Sequence, residues 1–96
     1  MGAIKPGNYS IEEVLISKFG RAIAHPARAK IIRLLLNKEQ FRNIDLSKKL
    51  QLSFSSVHNH IQVLKDADII DVEYLPHEYM LKLKSDNFDL MKQLLE

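Results

Sequence analysis

The chain is predicted to be mainly α-helical with one small β-hairpin, in the order α-α-α-α-β-β-α. Three observations predict it. Apolar residues recur at helical spacing as far as Asp66, the period changes to alternation between Ile70 and Lys84, and helical spacing returns from Phe88 onward. Residues 1–9 read as a flexible lead-in and residues 10–96 as a single domain.

Ser10-Ile-Glu-Glu13 has the form of a capping box, so the first helix starts there and runs to about Ala24. Its apolar residues Ile11, Val14, Leu15, Ile16, Phe19, Ala22 and Ile23 cover more than half the circumference. That arc is wider than one core contact needs and points to a second partner surface. His25-Pro26 ends this helix and begins the next, because proline suits a first helical turn. The second helix, from Pro26 to about Asn37, is apolar nearly all round, interrupted by Arg28, Lys30 and Arg33, and is expected to be central and buried. Residues 38–40 form a connector, and residues 41–43 a short strand.

From Asp45 to Ile70 the pattern is two short helices joined by a tight turn, then a strand. Leu46 and Leu50 mark the inner side of the first of these helices, and Leu52 closes the turn. Ser53 supplies the next N-cap, and Val57, Ile61 and Leu64 recur on one face. The opposite face carries Ser55, His58, Asn59 and Gln62: short, neutral, hydrogen-bonding groups. In the hairpin, pairing Tyr74 with Tyr79 sets Val72 opposite Leu81, Ile70 opposite Leu83 and Asp71 opposite Lys82, so like meets like and the charges complement. A last helix, capped by Ser85 or Asp86, carries Phe88, Leu90, Met91, Leu94 and Leu95 on one face. This order of elements is that of a winged helix-turn-helix.

With 96 residues and 46% hydrophobic content, the chain suits one small globular domain that is marginal as a monomer. The net charge is only +2, but it is uneven: Lys18, Arg21, Arg28, Lys30, Arg33 and Lys38 fall in a stretch with no Asp or Glu. A local basic surface is therefore compatible with a nearly neutral total. The absence of cysteine excludes disulfides, thiolate metal sites and thiol switches. No apolar run reaches membrane-spanning length and no secretion signal opens the chain, so a soluble, cytoplasmic protein is expected. An enzyme is not expected, since no Ser/His/Asp spacing, glycine-rich phosphate loop or HExxH is present.

Three segments resemble the ArsR (arsenical-resistance repressor) family. Ala24-His-Pro-Ala-Arg-Ala-Lys-Ile-Ile32 is similar to its AHPTRLRIL segment. Ile44-Asp-Leu-Ser-Lys-Lys-Leu-Gln-Leu-Ser53 resembles VxELAxxLGLS, and Val57-His-Asn-His-Ile-Gln-Val-Leu64 resembles VSRHLKVL. The resemblance spans roughly Phe19 to Lys84. It implies a homodimeric transcriptional repressor on double-stranded DNA with a pseudo-palindromic operator. The first and last helices would form the interface, which selects Ile11, Leu15, Phe19, Phe88, Met91, Leu94 and Leu95. Metal-sensing relatives carry CxC where this chain has Arg42 and Ile44, or Asp and His ligands on a last helix where it has Asp86, Asp89 and Glu96 without histidine. No metal and no cofactor are expected. His58 and His60 lie about 200° apart on their helix and cannot share an ion from one face. The effector is left open.

A neutral polar face on the second helix of such a motif suits base edges in a major groove. Asn59 is the sharpest candidate, because Asn pairs bidentately with adenine. Ser55 and Ser56 suit a phosphate or base edge, or simply a helix start; His58 and Gln62 complete the face. Arg28, Lys48 and Lys49 are candidate phosphate contacts, with pairing to a carboxylate such as Asp45 the alternative for Arg28 and a plain solvated face the alternative for the two lysines. His60 is expected to pack or bond within the domain, and Phe54 to pack at the helix start rather than to meet a thymine methyl group. The wing tip, Leu75-Pro-His-Glu78 flanked by Glu73, is acidic, which disfavours grip on phosphate and supports an alternative reading as a protein-interaction module.

Overall fold

Ser10 opens the first helix as its spacing requires. In the computed structural model, which describes residues 6–37 and 40–96, the Ser10 hydroxyl accepts the Glu13 N–H at 3.0 Å and the Glu13 carboxylate accepts the Ser10 N–H at 2.9 Å. A 3-10 turn at Pro6–Asn8 precedes it; residues 1–5 of the expected lead-in lie outside the described residues. Helix α1 (Ile11–Ile23) meets α2 (Pro26–Asn37) at a joint where His25 Nδ1 accepts the Ala27 N–H at 3.0 Å, capping α2 with an imidazole. Strand β1 (Gln40–Arg42), helix α3 (Asn43–Leu50), helix α4 (Phe54–Asp66), strands β2 (Ile70–Tyr74) and β3 (Tyr79–Leu83), and helix α5 (Ser85–Leu94) follow.

The hairpin takes the register that the residue pattern requires, including Tyr74 opposite Tyr79 and Asp71 opposite Lys82. The short strand forms one residue earlier than expected. It pairs antiparallel with β3, giving a three-stranded sheet in the order β1-β3-β2. Asn43 belongs to α3 instead: its side-chain oxygen accepts the Tyr79 N–H at 3.1 Å and so latches the start of α3 to the wing. Of the connector expected at 38–40, Gln40 is in β1 and the other two residues lie outside the described residues.

Phe19, Ala22, Ile31, Ile32, Leu35, Leu46, Val57, Ile61, Leu64, Leu81 and Met91 belong to one continuous core. Two expectations change here. Helix α2 is buried on one side only: Ile31, Ile32 and Leu35 face the core, whereas Leu36 is exposed. An all-round apolar helix packed on α1, α4 and β3 simply leaves its far side uncovered. Helix α5 is capped neither by Ser85 nor by Asp86, because it starts at Ser85 and its N-cap position is Lys84, without a side-chain cap. Its start is held differently. The Lys84 ammonium reaches Asp68 and Asp71, while the Asn87 amide donates to the Asp68 carbonyl and carboxylate at 3.1 and 2.9 Å.

The turn between α3 and α4 is closed by the Leu52 N–H on the Ser47 carbonyl (3.2 Å) and the Ser47 hydroxyl on the Leu52 carbonyl (2.6 Å). Its bend requires Gln51 at φ 55°, a left-handed conformation that costs a residue with a Cβ about 1–2 kcal/mol. Glycine adopts it freely. Gln51→Gly should therefore stabilise the domain by about 0.5–1 kcal/mol after the glycine's extra unfolded-state entropy is counted. Thermal unfolding should show Tm rising by a few degrees; an unchanged or lower Tm would mean that the Gln51 side chain makes a compensating contribution.

Candidate nucleic-acid interface

Helix α4 is divided lengthwise. Val57, Ile61 and Leu64 are buried against the core, while Ser55, His58 and Asn59 are exposed and Gln62 is half-buried. Ser53 begins the helix in extended backbone, and its hydroxyl accepts the Ser56 N–H at 3.2 Å. That hydroxyl also bonds the Ser56 hydroxyl at 3.0 Å and lies 3.4 Å from that of Ser55. Ser56 is thus held by the cap, and Ser55 is the more available of the two. Among the described residues the Asn59 amide has no hydrogen-bond partner. The His58 ring stands edge-on to Tyr79 with centroids 6.4 Å apart, which ties the outer face of α4 to the base of the wing.

Phe54 is 59% exposed, contrary to the expectation that it packs. It is the first residue of α4, and the buried face of that helix begins only at Val57. Asn43, Phe54, Ser55, His58, Asn59 and Tyr79 line an open recess of about 310 Å³ between α4, the start of α3 and β3. Lys48 and Lys49 are exposed in the last turn of α3, just before this helix.

Arg28 is engaged within the protein, and not with the Asp45 carboxylate named as its alternative partner. Its Nε donates to the Ala22 carbonyl at 2.9 Å and Nη2 to the Arg21 carbonyl at 3.0 Å, while Nη1 lies 3.2 Å from His60 Nδ1. The guanidinium satisfies carbonyls at the end of α1 and pins that end to α4. The His60 ring also packs on His25, with centroids 4.4 Å apart. Burial first, then His25 and Arg28, lowers the His60 pKa below its ordinary value. An imidazole whose Nδ1 faces a guanidinium serves as an acceptor there, and neutral His60 fits that geometry.

Asp45 is taken by Arg42, through Nε at 3.1 Å and Nη2 at 3.2 Å. Arg42 Nη1 also reaches Glu78 at 3.4 Å. The acidic wing tip is therefore partly neutralised by a cation from β1, which weakens the repulsion expected of it. Arg42 was noted in the sequence only as the replacement for a thiolate. Its i, i+3 spacing from Asp45 was the readable signal for half of this link, but Glu78 is brought in by the β1–β3 pairing. Among the described residues no group of three or more His, Cys, Asp or Glu side chains is placed to hold a metal ion.

A helix-turn-helix with a small sheet beside it is a winged helix-turn-helix, and comparison with known proteins identifies its kind. Residues 25–72, half of the chain, match the profile of bacterial regulatory proteins of the arsR family. The chain belongs to that family. An uncharacterised HTH-type transcriptional regulator of Methanocaldococcus jannaschii is 38% identical over 56 residues, a stretch covering 58% of each chain. HlyU of Vibrio cholerae has the same fold, with a TM-score of 0.74 at 18% identity over 90% of this chain and 94% of that one. NolR of Sinorhizobium fredii is similar too, with a TM-score of 0.72 at 23% identity over 98% and 93%. This arsR-family chain has the winged-helix fold of those solved structures.

In this regulator His60 links pH to stability. A histidine with a depressed native pKa binds a proton more readily when unfolded, so its contribution is present above the unfolded value, about 6.5, and is lost as pH falls below it. Acidification from about pH 7.5 to about pH 5.5 should lower Tm, and His60→Gln, which keeps an acceptor for Arg28, should lose less over the same range. Equal losses in both proteins would place the acid sensitivity elsewhere.

Proposed function

We propose that this regulator binds double-stranded DNA as a homodimer, sets one α4 in the major groove of each half of a pseudo-palindromic operator, and represses by occupying the site. The carrying observation is the outer face of α4, where Ser55, His58 and Asn59 are exposed, neutral and capable of hydrogen bonding. An ordinary solvated helix would present charged pairs there. Asn59 reads adenine, Ser55 and His58 contact base edges or the nearest phosphate, and Gln62 extends the face along the groove. Ser56, held by its cap, serves mainly to present the helix start. Lys48 and Lys49 supply phosphate contacts at the end of α3, and Arg28 positions α4 through His60 without touching phosphate.

The dimer surface also takes a corrected form. Phe19 and Met91, expected at the interface, are buried within the protomer at 3% and 7% exposure, where Phe19 packs on Phe88 with ring centroids 5.8 Å apart. The α1–α5 pair consumes those side chains as its own core. What remains outside is Ile11 at 81% exposure, with Tyr9, Leu15, Leu90 and Leu95 also exposed and Leu94 half-buried. These are apolar groups on α1 and α5 or beside them, and a second copy would remove them from water. A twofold arrangement then sets two α4 helices roughly 34 Å apart, one turn of duplex. Metal control is not part of the proposal, since Arg42 and Ile44 stand where thiolates would be needed and Arg42 is occupied by carboxylates.

Two measurements test this reading. Sedimentation at micromolar concentration should give twice the chain mass, and Ile11→Asp combined with Leu95→Asp should return it to one; a wild-type monomer would remove the two-half-site arrangement. Binding to a site selected from random duplexes should fall steeply with salt. Asn59→Ala should weaken that site by about 1–3 kcal/mol and leave random DNA almost unaffected. Lys48→Ala should weaken both and reduce the log–log salt slope by about 1. Weak, salt-insensitive binding without sequence preference would favour the protein-interaction module instead.

A further inference from the structure

We infer that Phe54 is a specificity residue: its exposed ring takes the 5-methyl group of a thymine, so that each half-site requires a thymine at one fixed offset from the adenine read by Asn59. The inference rests on the DNA-reading role of α4 and adds to it a contact of a different chemistry.

Counting 100° per residue from Phe54, His58, Gln62, Ser55 and Asn59 follow at about 40°, 80°, 100° and 140°. Phe54 therefore forms one edge of the reading face and Asn59 the other. The fold does not use the ring, which is 59% exposed at the first position of a 13-residue helix. It borders the recess that also holds Asn59, Ser55 and Tyr79, where no wall residue is a carboxylate or an ammonium. An aromatic ring left in water on a surface otherwise made of hydrogen-bonding groups gains only from an apolar group on the ligand. In the major groove the groups that distinguish adenine, guanine and cytosine are polar, cytosine showing only a C5–H where thymine alone carries a methyl group. A carboxamide at one edge and a ring at the other thus select adenine and thymine respectively, which biases the half-site toward A·T pairs.

The test is a uracil scan. The preferred site is first selected from randomised duplexes with the wild-type full chain, and each thymine is then replaced singly by deoxyuridine, which deletes the methyl group and leaves the pairing edge intact. One thymine per half-site should show about three- to tenfold weaker binding on replacement. Phe54→Ala should bind the thymine and uracil sites equally, while Asn59→Ala, weakened overall, should keep the difference between them. Restoring a methyl group with 5-methylcytosine in place of cytosine in a C·G variant of that position should recover affinity for wild type and not for Phe54→Ala. A scan in which no thymine matters, or one in which Phe54→Ala is as sensitive as wild type, overturns the inference and leaves DNA reading intact. A selection that enriches no sequence overturns DNA reading itself, and this contact with it. Because the ring is exposed, Phe54→Ala should keep the wild-type circular dichroism and Tm, and a folded variant makes each of these outcomes decisive.

Discussion

The burial of Val57, Ile61 and Leu64 against the core is the interaction on which the arrangement of this protein depends. These three residues fix the rotation of α4 about its own axis, and with that rotation fixed every other side chain on the helix has its direction assigned. Losing one such side chain to alanine would cost about 2–5 kcal/mol in a fully packed core, a large share of what a domain of this size possesses. The outer face contributes nothing comparable to the fold. It is therefore free to be composed for a ligand, and it carries amides, hydroxyls, an imidazole and one ring.

Rotation alone does not place a helix along its length or set its tilt, and polar links do that here. Arg28 ties the last carbonyls of α1 to His60 on α4, so the joint between α1 and α2 bears on the same helix that carries the proposed reading face. On the opposite side Asn43 holds the start of α3 to β3, and Arg42 joins Asp45 of α3 to Glu78 of the wing. Isolated exposed ion pairs contribute little to stability. Arg42 bridges two elements, and its value is geometric: it keeps the wing at a defined place beside the end of α4. The same pairing moderates an acidic tip that would otherwise repel phosphate.

What the sequence disclosed follows from how local each signal is. The capping box at Ser10, the cap at Ser53, the proline that opens α2 and the alternation of the hairpin are all set by residues within a few positions of one another, and each appears where the pattern put it. The candidate site was legible in the same degree, because a helical face can be counted from spacing. The failures are all questions of tertiary neighbours. Phe19 and Met91 look like free surface on a helical wheel, but α1 and α5 use them on each other. Phe54 looks like core because it is aromatic, but among the described residues no element covers it at the first turn of α4, and it is exposed. The internal partners of Arg28 were equally out of reach of the sequence, since only the fold brings the carbonyls at the end of α1 to its donors.

These two kinds of residue explain how a small winged-helix domain can divide its labour. Apolar side chains that the protomer leaves over, Ile11, Leu15, Leu90 and Leu95, collect on or beside α1 and α5, at a distance in the chain from the polar face of α4. A second copy placed there would stabilise the domain through surface that the reading helix does not use. The consequence is mechanical. A change in how two protomers pack would move both α4 helices as rigid bodies, because Arg28 couples the end of α1 directly to α4, and a fixed operator spacing tolerates little such movement. On the proposed dimer, regulation would need no ligand on the outer face of α4: a molecule bound along α1 and α5 that altered their angle would act at a distance on Asn59 and Phe54.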